Sequence, residues 1–211
     1  MSHDIILGMP KEGMIFYGAR HGETKMNAAG IIQGHMNEPL SANGLGQAHD
    51  LGRELRSRKS ELGIDVIYSS DLVRAYITAD VVSYYLGVPV IQDPRLRERS
   101  YGEFEGKSFG EVAGEFGVSD LDSSNPRGGE ALSEFEARIQ TAMLDILSNN
   151  PDSTMLFVTH GGVLRAKLKH FKNDEYPDGI GHEIKNAALL EFYVDPSLLN
   201  LGDKSVNRGN N

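Results

Sequence analysis

The chain contains no cysteine. That excludes disulfides, thiolate metal sites and a cysteine nucleophile, and it fits a reducing compartment. No stretch approaches the ~18 consecutive apolar residues of a membrane span. Residues 1–10 hold only the short apolar run Ile5-Ile6-Leu7 and no basic leader, so no signal peptide is expected and a cytoplasmic location is. Basic residues are in deficit, with 21 Lys and Arg against 30 Asp and Glu, a formal charge of -9. A general nucleic-acid binder needs a basic face and is excluded. An anionic substrate remains compatible, provided that arginines converge on one pocket. Internal repeats, low-complexity blocks and interdomain linkers are also missing.

What is present describes an ordinary soluble protein: 211 residues, 39% hydrophobic and 24% charged. One sizeable core is expected, hence a single domain over 1–211, with its core at about 15–194 and a flexible tail at about 202–211. Residues 14–19 read as a buried strand, with Gly22 following where a turn is needed. Leu45, Ala48, Leu51 and Leu55 recur at helical spacing after Ser41, a helix N-cap. Residues 65–68 form a second short strand. Leu72, Tyr76, Ala79, Val82 and Leu86 then line one helix face that stops at Gly87 and Pro89.

Residues 95–124 are irregular, with a short helix near 108–116. A long amphipathic helix follows Gly128-Gly129, carried by Leu132, Phe135, Ile139, Ala142 and Ile146. Residues 154–159 are a strand leading into His160-Gly161-Gly162 and another helix, and 187–194 form a last strand. This alternation predicts an α/β fold, a three-layer α/β/α sandwich around a mostly parallel sheet. Ligands in such sheets collect beyond the C-terminal strand ends. His21, Ser69-Ser70 with Arg74 beyond, and His160 all fall there.

Arg20-His21-Gly22 combines three useful properties. A neutral imidazole is a nucleophile at physiological pH, a guanidinium can hold phosphate oxygens through paired hydrogen bonds, and Gly22 permits a sharp turn and close approach of a substrate. The tripeptide alone also fits a hydrogen-bonded histidine beside a surface arginine. Arg74 could equally pair with Asp71, Glu98 with Arg95, Arg97 or Arg99, and His160 could be a satisfied core histidine. His3, His35, His49, His170 and His182 show no metal-ligand spacing, so neither metal nor cofactor is expected.

The tripeptide opens an ordered series. Arg20-His21-Gly22-Glu23-Thr24 and Asn27 are followed by Gln33-Gly34, Pro39-Leu40-Ser41 and Gly44. Then come Tyr68-Ser69-Ser70-Asp71-Leu72 with Arg74-Ala75, Leu96-Arg97-Glu98, and Tyr101-Gly102-Glu103-Phe104-Glu105-Gly106. Gly128-Gly129-Glu130 and Val158-Thr159-His160-Gly161-Gly162-Val163-Leu164-Arg165 complete it. From about residue 15 to 186 this order resembles the histidine phosphatase superfamily, also called phosphoglycerate mutase-like.

The resemblance implies a phosphomonoester hydrolase working through a phosphohistidine on a small phosphorylated metabolite, without a metal ion. His21 would be the nucleophile. Arg20, Arg74 and His160 would cradle the phosphoryl group, with Asn27 as a neutral donor and Gly161 and Asn186 beside them. Glu98 would protonate the leaving oxygen and then activate water. Phosphoryl transfer asks mainly for positioning and charge compensation, which these residue types can supply.

Two departures stand out. Gly18-Ala19 replace the bulky apolar run usual before Arg-His-Gly, which should loosen packing beneath His21, and Arg99-Ser100-Tyr101 should line the substrate mouth. The alternatives are a cofactor-dependent phosphoglycerate mutase or a catalytically silent binding protein of the same fold. The span between Gly106 and Gly128 is short for such a mutase, which favours hydrolysis. The sequence does not specify the natural substrate or the oligomeric state.

Overall fold

A computed structural model describes residues 14–117, 121, 124–168, 184–194 and 199. The expectations for residues 1–10, 169–183 and 202–211, including His3, His170 and His182, lie outside the described residues. In chain order the elements are β1 (Met14–Arg20), α1 (Lys25–Ala28), α2 (Ala42–Ser57), α3 (Lys59–Leu62), β2 (Ile64–Ser69), α4 (Val73–Leu86) and β3 (Val90–Gln92). Two 3₁₀ turns, Pro94–Leu96 and Gly102–Phe104, precede α5 (Phe109–Phe116), α6 (Leu132–Asn149), β4 (Thr154–Thr159), α7 (Gly161–Leu168) and β5 (Leu189–Val194). Among the described residues, no helix is long and apolar enough to cross a membrane.

The sheet order is β3-β2-β4-β1-β5, parallel except for β5, which runs antiparallel to β1. This is the expected α/β architecture, and the period-2 alternation of strand side chains explains its layers. Phe16, Phe157 and Phe192 join α6 and α7 in one apolar cluster. Their neighbours Tyr17, Leu156 and Val158 join α2 and α4 in the other. Successive residues of one strand therefore feed opposite cores.

Register places the chemistry. Arg20 lies opposite Thr159 in the β1–β4 pair, and Ser69 lies opposite Val158 in the β2–β4 pair. Pairing runs one residue further: the His21 N–H donates to the Thr159 carbonyl at 2.9 Å and the Ser70 N–H to the Val158 carbonyl at 3.1 Å. His21, His160 and Ser70 are thus level just beyond the C-terminal ends of β1, β4 and β2, the inner strands of the sheet.

Local signals account for most element ends. The Ser41 hydroxyl accepts the Gly44 N–H at 3.0 Å and caps α2. Gly87, with φ of 68°, closes α4 in the left-handed conformation. Three details differ from expectation. β3 is a three-residue edge strand with two exposed positions, so it carries no buried periodicity. Leu45 faces solvent, and Gly44 takes the inward place on α2. The last strand starts at Leu189 because Ala187 sits at φ 57°.

The expected looseness beneath His21 is also corrected. A Cβ at Gly18 would lie 2.7 Å from Leu164 Cδ2 and 2.9 Å from the Phe192 ring. The small residue is matched by close packing from α7 and β5, and an added methyl would overpack this layer.

Candidate active site

The loop after β1 is pinned from several sides. Helix α2 comes so close that a Cβ on Gly22 would sit 2.4 Å from the Gly44 carbonyl oxygen. Gly22 is therefore required by the backbone of α2; the expectation that it makes room for substrate is replaced. Its N–H donates to Thr78 Oγ1 at 3.0 Å, and the Glu23 N–H donates to Gln47 Oε1 at 2.8 Å. On the other side the Asn186 amide donates to the His21 carbonyl at 3.0 Å.

His21 is buried, 3% exposed, and its Nδ1 is 2.7 Å from the Gly22 carbonyl oxygen. A carbonyl only accepts, so Nδ1 carries the proton and the lone pair of the neutral ring lies on Nε2. Burial, then the guanidiniums of Arg74 and Arg20, push the imidazole well below the ordinary 6.5. The ring is thus neutral at physiological pH and held with its lone pair on Nε2.

The His160 ring stands 5.2 Å from that of His21, centroid to centroid. It is fully buried, with Nε2 2.9 Å from Ser70 Oγ, and its Nδ1 has no hydrogen-bond partner among the described residues. Burial first, then Arg74, His21 and Arg20, hold it too well below 6.5. Below that pH the unfolded chain takes up protons at both imidazoles that the folded chain refuses, so acidification destabilises the fold. Thermal melts from pH 7 to 5 should show a falling midpoint, and His160→Asn should flatten the decline; an equal slope in the variant would contradict it.

Arg74 is 1% exposed, and it does not pair with Asp71, which Arg97 engages through both carboxylate oxygens. Its Nη1 and Nη2 donate to the carbonyls of Met36 at 2.7 Å and Gly34 at 2.8 Å, while Nε has no partner among the described residues. Burial lowers its pKa to about 10, opposed by Glu98 and Glu105, so it stays cationic. The Arg20 side chain bonds the Ile184 carbonyl.

Glu98 pairs with none of the neighbouring arginines. Its Oε1 accepts the Arg99 N–H and its Oε2 the Gly162 N–H, both at 2.9 Å. A Cβ at Gly162 would fall 2.2 Å from Oε1, so glycine there lets the carboxylate reach the start of α7.

A cavity of about 230 Å³ gathers Arg20, His21, Asn27, Arg74, Glu98 and Gly161 on its wall. Asn27 uses its Oδ1 in the capping box of α1, accepting the Thr24 N–H at 3.1 Å. His160 and Asn186 stand behind His21 and do not form the wall. Ile31, Ile32, Phe109 and Leu121 make an apolar side, with Gln33, Tyr101 and Arg165 nearby. Of the expected mouth residues only Tyr101 is there. Arg99 is buried and turns away to donate to the carbonyls of Leu121, Ser124 and Glu130, and Ser100 bonds Glu105. Arg165 is a cationic wall residue that sequence reasoning left unassigned; its place one turn beyond Gly161 was the available signal.

Among the described residues no three His, Asp or Glu side chains converge as a metal site. A neutral imidazole lone pair, three guanidiniums and a carboxyl around one small cavity can accept a phosphoryl group, compensate its charge and move a proton.

Known proteins carry related sequences and folds. A putative phosphoserine phosphatase 2 from Hydrogenobacter thermophilus is 38% identical over 202 residues, covering 90% of this chain and 91% of its own. A probable phosphoglycerate mutase GpmB from Enterobacter sp. (strain 638) is 36% identical over 151 residues, 69% of this chain and 68% of its own. Among solved structures, a mycobacterial glucosyl-3-phosphoglycerate phosphatase complexed with VO3 superimposes with a TM-score of 0.74 at 26% identity, covering 84% of this chain and 90% of that one. The model of the histidine phosphatase superfamily (branch 1) matches residues 16–201. The chain belongs to the histidine phosphatase superfamily.

Proposed function

We propose that this protein hydrolyses small phosphomonoesters in two displacements at His21. The observation that carries the reading is the His21 tautomer: Nδ1 is fixed on the Gly22 carbonyl, which leaves the lone pair on Nε2 of a ring that lines the same cavity as Arg20 and Arg74. In the first step Nε2 bonds to phosphorus, the ester P–O bond breaks, and the protonated Glu98 carboxyl gives its proton to the departing oxygen. In the second step the Glu98 carboxylate takes a proton from water, whose oxygen attacks phosphorus. The P–N bond breaks and returns the lone pair to Nε2. Arg20 and Arg74 compensate the charge on the non-bridging oxygens throughout. Asn27 and Gly161 complete the oxyanion cradle from the wall, His160 packs its ring against that of His21, and Asn186 holds the His21 carbonyl.

Hydrolysis, rather than transfer back to the product, is the reading we draw from the span between Gly106 and Gly128, which is short for a mutase. Phosphatase names among the relatives support the same reading. The small cavity suits a metabolite-sized ester. The test sets inorganic phosphate release from a phosphometabolite panel, in chelator, beside interconversion of 2- and 3-phosphoglycerate. Release should dominate; faster interconversion would establish the mutase, and no turnover on any ester would establish a silent binding protein.

Glu98→Gln should lower kcat/KM for alkyl phosphates by about 10²–10⁴-fold and spare aryl phosphates, whose leaving group needs no proton. Equal losses on both classes would remove the acid role.

A further inference from the structure

The segment carrying Glu98 has little regular structure to hold it: it follows the 3₁₀ turn Pro94–Leu96 and belongs to no strand or helix. The carbonyls of residues 95–98, from the turn to Glu98 itself, are nevertheless each engaged by a side chain from a distant part of the chain. Arg138 on α6 donates through Nη1 to the carbonyls of Arg95 at 2.6 Å and Arg97 at 3.1 Å, and through Nη2 to that of Glu98 at 3.3 Å. Thr159 Oγ1, next to His160, donates to the Leu96 carbonyl at 2.8 Å, and His35 Nε2 donates to the Glu98 carbonyl at 2.8 Å.

Arg138 is itself held. Its Nε and Nη2 meet Glu130 Oε1 at 2.8 Å and Oε2 at 2.7 Å, a bidentate pair whose side chains are only 22% and 17% exposed. Such a fork fixes the guanidinium plane as well as its position. Glu130 is anchored in turn, its N–H on the Ser100 carbonyl at 2.9 Å and its carbonyl accepting from Arg99 Nε at 2.8 Å.

We propose that the Glu130–Arg138 pair is a positioning device for the general acid: it sets where the Glu98 carboxyl stands relative to the leaving oxygen. The proposal rests on the acid role assigned to Glu98 above. Neither residue lies on the cavity wall, so neither touches substrate. Arg138 fixes three carbonyls around the backbone of residue 98, and proton transfer is sensitive to displacements of about 1 Å, which can cost on the order of 10²-fold.

The experiment compares kcat/KM for an alkyl phosphomonoester and for p-nitrophenyl phosphate in the full-length enzyme, with inorganic phosphate affinity as the check that the cradle is intact. Arg138→Gln should lower the alkyl value by about 30–100-fold and the aryl value by less than about threefold, with phosphate affinity unchanged. In a Glu98→Gln background the same change should cost less than about threefold more, because the group that it positions is already gone. Should Arg138→Gln not fold, Glu130→Gln, which weakens the fork while keeping Arg138, should show the same one-sided loss at about 5–10-fold. Equal losses on both esters, or full additivity with Glu98→Gln, would overturn the positioning role while leaving the acid in place. A Glu98→Gln enzyme that itself loses both esters equally would overturn the acid and the positioning role together.

Discussion

His21→Ala leaves a folded protein whose phosphoester turnover falls by roughly 10⁵-fold or more, as removal of a covalent nucleophile does elsewhere. The fold survives because the side chain's hydrogen bond is to the neighbouring Gly22 carbonyl, and the backbone around it is held independently by Thr159, Asn186 and Thr78. The loss is large because, among the described residues, no other side chain on the wall offers a neutral nitrogen lone pair: Arg20, Arg74 and Arg165 are cations and Asn27 and Gln33 present amides. Inorganic phosphate should still bind within about tenfold, since both cradle guanidiniums remain. Phosphate release and a melting curve on the same preparation check the prediction. Turnover at the original rate in the folded His21→Ala protein would remove His21 from the chemistry.

Arg74→Ala should reduce kcat by about 10³-fold, in the range seen when one preorganised donor or a transition-state arginine is lost. Arg74→Lys should recover little. The guanidinium spans two carbonyls, Gly34 and Met36, and still keeps Nε without a partner among the described residues. A single ammonium cannot satisfy both carbonyls and a phosphoryl oxygen in that geometry. The alanine variant also strands two carbonyls and empties a buried volume, so its melting midpoint should drop as well. Steady-state kinetics for both variants, with phosphate binding by calorimetry, separates the effects. Near-normal kcat in the lysine enzyme would show that charge alone suffices at this place.

Much of the fold is legible in the sequence because buried strands and amphipathic helices carry their period openly. The runs at 14–19 and 154–159 read as strands, and Ser41 and Gly87 mark helix ends that form where expected. β3 is not legible, since a three-residue edge strand with only Val90 against the core is too short to show a period. Arg20, His21, Asn27, Arg74, Glu98 and Gly161 were legible as candidates from the order of motifs along the chain, whereas Arg165, the apolar side of the cavity and the spatial relation of all of them were not. Nothing local says that Arg74 is buried, or that Asp71 is claimed by Arg97. The supporting shell was least legible. Glu130 stands out beside two glycines, yet its partner Arg138 acts through backbone carbonyls far upstream in the chain, and carbonyl acceptors leave no trace in composition or period. Glu105 is a similar case, since one carboxylate oxygen receives the N–H groups of His35 and Tyr101 and so shapes the loop whose carbonyls hold Arg74.

Rapid mixing with substrate, quenching in base and mapping the phosphoryl group by mass spectrometry asks the decisive question. The modification should appear on His21, at Nε2, within the first turnover, and it should vanish when the sample is acidified. A phosphoryl group on any other side chain, or sustained turnover with no covalent phosphoenzyme formed faster than product, would show that the chemistry runs by another route.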